Sequence, residues 1–144
     1  MQQTVLVDAH VKFEQHLREK GKANATVIAY SKDIEQLVQF VGNNGKTLAA
    51  EVSTDDIDLF KSDLKQKRYT SKSISRKINS IKAFFRYLIA ESIVETNPAQ
   101  AITHPKIEQV PPRVLSRLEY RALRDACRGD ARIFAIVRLL LQTG

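Results

Sequence analysis

The sequence predicts an all-α protein, in which a four-helix domain is followed by a proline-rich linker and two further helices. Three observations carry this prediction. Apolar residues recur at helical spacing along most of the 144 residues, and the alternation typical of strands is nearly absent. All four prolines fall between residues 98 and 112, where they prevent helix and favour an extended chain. We therefore expect a first domain at 1–97, a linker at 98–112 and the start of a second domain at 113–144.

The first helix is predicted at about residues 4–20, and the second from about Asn24 or Thr26 to Val41. Gly21 ends the first, and the run Gly42-Asn43-Asn44-Gly45 breaks the second. Each has one apolar stripe facing a core. The stripe of the first helix consists of Val5, Ala9, Phe13 and Leu17, and that of the second of Tyr30, Ile34, Leu37, Val38 and Val41.

The third helix follows Ser53-Thr54-Asp55-Asp56, because hydroxyl caps and acids suit a helix N-terminus. Its inner face holds Ile57, Phe60 and Leu64. The fourth helix follows Tyr69-Thr70-Ser71 and extends to about Ala90. It is amphipathic, with an apolar arc of Ile74, Ile78, Ile81, Phe85 and Leu88. Polar residues gather on the opposite side: Lys72, Ser75, Arg76, Asn79, Lys82 and Arg86.

Two more helices are predicted after the prolines. Ser116-Arg117-Leu118-Glu119 is a capping box that opens the fifth. The sixth starts at about Asp130 and is apolar nearly all round, which is typical of a helix buried on most sides. So short a pair of helices cannot cover this surface itself. We therefore expect residues 131–144 to be poorly ordered or to drive self-association.

Positive charge is concentrated in one part of the chain. The net charge is +7, and residues 61–90 contain nine Lys and Arg against the single acid Asp63. This region therefore carries the whole excess, which is the electrostatic pattern expected of a nucleic-acid-binding protein. A basic but merely solvated helix is the alternative interpretation.

The fourth helix is the predicted contact with duplex DNA, because one helix fits the major groove between two rows of phosphates. Its free first-turn N–H groups are themselves suited to a phosphate, and the second helix adds a smaller patch. Arg76 is predicted to lie opposite the core, so that reversing its charge would leave the fold intact. The predicted DNA-binding residues are Ser31, Lys32, Lys72, Ser73, Ser75, Arg76, Lys77, Asn79, Lys82 and Arg86.

Catalytic and metal-binding patterns are not found in the sequence. His10, His16 and His104 share no metal-ligand spacing with an acid or cysteine, and the single cysteine excludes an internal disulfide. There is no glycine-rich phosphate loop and no apolar stretch long enough to cross a membrane. The residues predict a binding module without cofactor or metal, in the cytoplasm.

Five segments, in this order, resemble the tyrosine recombinases, the family of phage and integron integrases and Xer-type resolvases. Residues 26–40 resemble the second helix of the family's core-binding domain, and residues 73–88 its fourth helix, with a serine–basic–basic start and paired phenylalanines. Asn97-Pro98-Ala99 with Pro105-Lys106 is similar to the interdomain linker. Val114-Leu115-Ser116 and the segment from Leu139 to Gly144 resemble the start of the catalytic domain.

This resemblance implies a four-helix SAM-like core-binding domain that forms half of a C-shaped clamp on double-stranded DNA. The parent enzyme would break and rejoin DNA through a phosphotyrosine link, without ATP or metal, as a tetramer on paired sites. In the family the Thr-Gly pair, here Thr143-Gly144, is followed by the first catalytic arginine. The resemblance therefore implies that this chain holds no catalytic residue and that none of its tyrosines is the nucleophile.

Two other interpretations stay open at this point. A helical protein–protein adaptor would also have four short helices, but it would be indifferent to the charge of Lys72 and Arg76. A catalytically inactive relative of the same fold, used as a regulator or an architectural DNA binder, would bind DNA without cleaving it.

Overall fold

The computed structural model describes residues 4–107 and 111–143, and within these ranges it contains six α-helices and no β-strand. The predicted all-α class is confirmed. No helix of these ranges is both long and apolar enough to cross a membrane. The helices are α1 (Leu6–Glu19), α2 (Asn24–Asn43), α3 (Thr54–Gln66), α4 (Ser71–Ala90), α5 (Arg117–Ala126) and α6 (Ala131–Thr143), with a 3-10 turn at Ala49–Glu51.

The chain divides into two compact units, Met1–Ile107 and Glu108–Gly144. In the first unit α2 packs against α1, α3 and α4 around one apolar core. The rings of Phe13 and Phe84 meet edge to face at 5.3 Å between centroids, and Phe84 meets Phe85 in the same way at 5.4 Å. Such aromatic pairs add to the stability gained from burial. Every core residue predicted for α3 and α4 is buried.

The start of α1 differs from the prediction at one position. Val5 is 39% exposed, whereas the neighbouring Leu6 is buried at 1%. Val5 is the N-cap residue rather than part of the helix, and its backbone forms an isolated antiparallel bridge with Leu48. Its side chain therefore does not follow the helical stripe.

The first unit extends further along the chain than predicted. The linker was expected from residue 98, but Ala99 and Ile102 are 0% and 3% exposed and belong to the core. The Thr54 hydroxyl donates to the carbonyl of Pro98 at 3.0 Å, and Asn97 Oδ1 accepts from the Ala99 amide at 3.0 Å. Proline makes this segment extended, but its apolar side chains still pack, so the boundary lies at Ile107.

The first four helices all end in the same type of turn. After α3, the Tyr69 amide donates to the carbonyl of Leu64 at 3.1 Å and the Arg68 amide to that of Lys65 at 3.0 Å. This pair of bonds defines a Schellman motif, whose turning residue has a positive φ. The turning residues after α1, α2, α3 and α4 are Gly21 (φ 68°), Gly45 (φ 81°), Arg68 (φ 60°) and Ser92 (φ 56°).

The second unit consists of α5 and α6. Ser116 Oγ accepts from the Glu119 amide at 3.2 Å, and the Glu119 carboxylate accepts from the Ser116 amide at 2.9 Å, so the predicted capping box is present. The hydrogen bonds that the Glu119 carboxylate accepts from Ser116, first the one from the Ser116 amide, lower the pKa of Glu119. No residue of either helix is buried, and the exposed apolar residues include Leu118, Ile133, Ile136, Leu139 and Leu140. The expected burial of α6 on most sides is therefore not found in the described part of the chain.

A polar cluster fixes the start of α3. The Asp56 carboxylate accepts from the Ser53 amide at 2.7 Å and from Lys46 Nζ at 2.5 Å, while Ser53 Oγ accepts from the Asp56 amide at 3.3 Å. Burial alone would raise the pKa of Asp56. The hydrogen bonds from Lys46 and Ser53 outweigh that effect, so the pKa lies below its ordinary value of 3.8.

We expect Asp56→Asn to lower the free energy of unfolding by about 1 kcal/mol at neutral pH, because it removes the charge at the helix N-terminus and the pairing with Lys46. A carboxylate with a lowered folded-state pKa stabilises the fold above its unfolded pKa, and this contribution is lost as the pH falls through the folded value. Urea unfolding should therefore show a smaller difference in free energy of unfolding between Asp56→Asn and the parent chain well below pH 3.8 than at neutral pH.

The matched control is Asp55→Asn, which neutralises an exposed acid in the same first turn. It should change stability less than Asp56→Asn does. Equal losses of stability in the two variants, or a loss in Asp56→Asn that does not depend on pH, would contradict the stabilising role assigned to the Asp56 carboxylate.

Candidate nucleic-acid interface

Helix α4 has one buried side and one charged side. The predicted apolar arc faces the core, while Lys72, Asn79 and Arg86 are exposed on the other side and the Arg76 side chain is 46% exposed. These four residues form the α4 cationic face. The three charged side chains lie within four turns of one helix, so the face offers a row of cations with one amide among them.

Two further residues of the predicted DNA-binding set border this face and are engaged by the segment after α4. Ser75 Oγ is 2.9 Å from His104 Nδ1, and Lys82 Nζ donates to the carbonyl of Ile102 at 2.9 Å. From α3, Lys61 Nζ donates to the carbonyl of Thr103 at 2.7 Å. Two lysines therefore hold this segment in place, and the sequence prediction did not include these contacts.

The first turn of α4 is capped within the protein. Thr70 Oγ1 accepts from the Ser73 amide at 3.2 Å and donates to Ser73 Oγ at 3.0 Å. The predicted phosphate site at this helix start therefore lacks the Ser73 amide as a free donor. Lys72, one residue earlier, is exposed.

Lys77 was predicted among the DNA-binding residues, but it is 3% exposed. Its Nζ donates to Asp33 Oδ1 at 2.8 Å and to Gln36 Oε1 at 2.6 Å, and it lies 5.3 Å from the centre of the Tyr69 ring. A lysine so enclosed cannot reach a phosphate. Lys77 is therefore corrected to an interior residue, which its position beside the apolar arc of α4 explains.

Asp33 is the centre of this interior cluster. It is 0% exposed, and its Oδ2 accepts from Arg76 Nη1 at 2.7 Å and from Ser80 Oγ at 2.8 Å. With Lys77 on Oδ1, the carboxylate joins α2 to two neighbouring turns of α4. Buried charges are tolerated when they are paired and hydrogen-bonded in this way.

The contact with Asp33 also corrects the expectation for Arg76. We predicted that Arg76 lies opposite the core, so that reversing its charge would not affect the fold. Its Nη1 instead contacts both Asp33 and the carbonyl of Ala29, the latter at 3.4 Å. A glutamate at this position would place a second carboxylate beside the buried one, so the charge reversal is expected to destabilise the unit.

Ser31 and Lys32 lie on α2, and only Lys32 is fully exposed. Ser31 Oγ donates to Glu14 Oε2 at 2.6 Å and lies 2.9 Å from His10 Nε2. A hydroxyl has one proton, so His10 must be the donor to Ser31. The hydrogen bond from Ser31, and next the one from Arg18, lower the pKa of Glu14.

These three residue types also occur in hydrolytic triads, but the order of contacts here is different. A triad places the histidine between the nucleophile and the acid, whereas Ser31 donates directly to the acid Glu14. In the described ranges, no group of three or more His, Cys, Asp or Glu could hold a metal ion. A groove of about 670 Å³ at the C-terminal end of α4 has polar and apolar lining in similar amounts, and no nucleophile–base pair is formed among its described residues. The positive finding is therefore the α4 cationic face.

The Asp33 cluster was not among the sequence predictions, although the sequence contains a signal for it. Asp33 falls between Tyr30 and Ile34 on the inner stripe of α2, and Lys77 and Ser80 fall within the inner side of α4. Opposite charges on the core faces of two helices indicate an interior ion pair. Periodicity alone does not show that these two helices are neighbours.

Comparison with known proteins gives a consistent family. Residues 11–92, more than half of the chain, match the domain family described as "Phage integrase, N-terminal SAM-like domain". The tyrosine recombinase XerC of Roseiflexus castenholzii is 33% identical over 140 residues, which cover 92% of this chain and 44% of that protein. The chain thus spans less than half of the length of this curated relative.

Two solved structures share the fold. A lambda integrase tetramer bound to a Holliday junction has a TM-score of 0.70 at 20% identity, covering 88% of this chain and 36% of that one. Lambda integrase (residues 75–356) bound to DNA has a TM-score of 0.65 at 22% identity, covering 90% of this chain and 43% of that one. The second unit of this chain falls partly within these matches.

We expect Asp33→Ala to lower the free energy of unfolding by about 3–5 kcal/mol, because it leaves the Lys77 ammonium buried without its counter-ion. Chemical denaturation followed by circular dichroism would measure the loss.

Asp63→Ala is the control, since Asp63 forms only a surface pair with Lys67 one turn away on α3. Exposed pairs of this kind contribute about 0.3–0.5 kcal/mol. Similar losses for the two alanine variants would rule out a special role for the buried cluster.

Proposed function

The chain belongs to the tyrosine recombinase (phage integrase) family, and on that premise we propose that its first unit binds double-stranded DNA through the α4 cationic face. In this proposal the unit forms one half of a C-shaped clamp of a site-specific recombinase. The single observation that carries the proposal is the α4 cationic face itself, a row of exposed cations on a helix whose other side is anchored in the core.

The dimensions and chemistry of this face suit a DNA major groove. The groove admits one α-helix, and its two phosphate rows then lie on either side of that helix. Lys72, Arg76 and Arg86 supply charge for phosphates, which fix the position of a protein on the duplex. Asn79 carries an amide, and amides pair with the exposed edge of adenine. Lys32 on α2 would add a cation beside this helix.

The proposed contact set is smaller than the sequence prediction. Ser75 and Lys82 are engaged by His104 and Ile102 and would contact DNA only at the margin of the face. Ser31 and Ser73 are held by Glu14 and Thr70. We therefore assign the electrostatic contact to Lys32 and the α4 cationic face, with the bordering residues in a secondary role.

The comparisons support a DNA partner for this chain. The lambda integrase structures, which share the fold, are described as bound to DNA and as a tetramer on a Holliday junction. The XerC relative is named a recombinase, and one lambda integrase structure is a tetramer bound to a Holliday junction. By analogy, we propose that a protein containing this chain acts as a tetramer on paired sites and breaks and rejoins DNA strands. This chain would supply the grip on DNA and would not cleave.

An adaptor function and a purely architectural function are the alternatives. An adaptor would bind protein through an apolar or mixed surface, whereas the exposed side of α4 is cationic. An architectural DNA binder would use the same face. It would differ from a recombinase only because it does not cleave the DNA strands.

We expect the chain to bind a duplex of about 30 base pairs. The logarithm of its affinity should fall linearly with the logarithm of the salt concentration, because binding releases counter-ions. Lys72→Ala and Arg86→Ala should each reduce that slope by about 0.9, the value for one phosphate contact. Fluorescence anisotropy titrations at several salt concentrations measure the slope.

Lys12→Ala is the control variant, because Lys12 is also exposed but lies on α1. It should leave the slope unchanged. Binding that is lost equally in all three variants would indicate a non-specific charge effect, and no binding even at low salt would favour the adaptor.

The second unit leads to a separate expectation. On α6, Ile133, Ile136, Leu139 and Leu140 are 49–62% exposed, and exposed apolar patches drive association. We expect the chain to self-associate through residues 131–144 in a concentration-dependent way, and Leu139→Glu with Leu140→Glu to restore the monomer. Sedimentation velocity over a dilution series tests this, and a parent chain that stays monomeric throughout would exclude it.

A further inference from the structure

We propose that Lys77 is an internal counter-ion that makes the charge of Arg76 available to a DNA phosphate. In this role Lys77 is a positioning residue, since it acts on DNA only through Asp33 and Arg76. The proposal rests on the proposed function, because it explains how one cation of the α4 cationic face is kept fit for binding.

The cluster contains two cations and one anion. Asp33 Oδ1 accepts from Lys77 Nζ at 2.8 Å, and Asp33 Oδ2 accepts from Arg76 Nη1 at 2.7 Å. The carboxylate side chain is 1% exposed. An Asp33–Arg76 pair alone would be neutral, and the addition of Lys77 gives the three groups a net charge of +1.

Exposure decides where this net charge lies. The Lys77 side chain is 4% exposed, and its Nζ already faces Asp33, Gln36 and the Tyr69 ring. The Arg76 side chain is 46% exposed, and only its Nη1 is used by Asp33 and Ala29. A guanidinium has five N–H donors, so those on Nε and Nη2 stay available for a ligand.

A phosphate that approaches Arg76 would also meet the field of Asp33 directly behind it. Charges a few ångströms apart interact strongly where water is largely excluded. Because Lys77 compensates Asp33 from the interior side, the repulsion between Asp33 and the phosphate is cancelled. Asp33 can then hold the guanidinium in a fixed orientation, which lowers the ordering cost of binding, without neutralising it towards DNA.

A merely structural Lys77 makes a different prediction. If Lys77 only fills the space between α2 and α4, its replacement affects stability but leaves the number of counter-ions released by the folded protein unchanged. The salt dependence of DNA binding therefore separates the two roles, while stability alone does not.

The test uses the full chain, a duplex of about 30 base pairs and the slope of log affinity against log salt. Arg76→Met defines the loss of one contact, about 0.9 in slope. We expect Lys77→Met to lose the same amount, although Lys77 is out of reach of DNA. The double variant Lys77→Met with Asp33→Asn should regain the parent slope, because the uncompensated anion is gone while an oxygen acceptor for Arg76 remains.

Lys77→Gln provides the same charge change with a donor for Asp33, in case the methionine variant does not fold, and circular dichroism checks each variant. A parent slope in folded Lys77→Met or Lys77→Gln overturns the inference, as does a double variant that stays one contact short. These outcomes differ from a failure of the proposed function, in which the parent chain itself does not bind the duplex or Arg76→Met leaves its slope unchanged.

Discussion

A buried carboxylate, that of Asp33, joins α2 to α4, and the arrangement of the first unit depends on it. The transfer of this charge from water is costly, and the cost is offset by hydrogen bonds from Lys77, Arg76 and Ser80. Such a cluster is weak evidence for net stability, because replacing all of its members by well-packed apolar residues is often neutral, whereas removing one partner alone is costly. Because its three donors lie at positions 76, 77 and 80, on two neighbouring turns of α4, they fix both the rotation of that helix about its axis and its position along α2.

This rotation determines what the other side of α4 presents to solvent. With the donors turned to Asp33 and the isoleucines to the core, Lys72, Asn79 and Arg86 have no other direction than outward. Residues 102–104 lie along the flank of this helix. Lys82 and Lys61 hold them in place by donating hydrogen bonds to the backbone carbonyls of this segment. The cationic face is therefore bounded on one side by an ion cluster and on the other by a docked segment.

The helices and their inner faces could be predicted from the sequence, because periodicity and caps are local signals. Ile57, Ile74 and Phe85 lie in the core as their spacing indicates. The role of Lys77 could not be predicted from spacing, since its partner is 44 residues away in the chain and only the packing of α2 on α4 brings them together. The burial of Ile102 could not be predicted either. A proline-rich segment predicts an extended backbone, but it does not indicate whether the side chains of that segment pack against the core.

The helix that carries the candidate site could be predicted from the sequence, but not all of the residues of that site could. The excess of basic residues on one helix is a property of composition, and it identified α4 correctly as the cationic element. Which of the predicted DNA-binding residues are free to contact a ligand depends on their neighbours. Arg86 is exposed, whereas the Ser75 hydroxyl is hydrogen-bonded to His104. The signals to search for were opposite charges on the inner faces of two helices and apolar residues inside the predicted linker, such as Ala99 and Ile102.

The four similar helix ends bear on how this sequence has evolved. Glycine occupies the left-handed turning position after α1 and α2, but Arg68 and Ser92 occupy it after α3 and α4. A side chain in this conformation costs roughly 1–2 kcal/mol relative to glycine. Two of the four turns thus retain strain that a single substitution each would relieve. Stability of this kind is commonly left unused in natural proteins, because selection removes only the variants that fall below the stability needed for function.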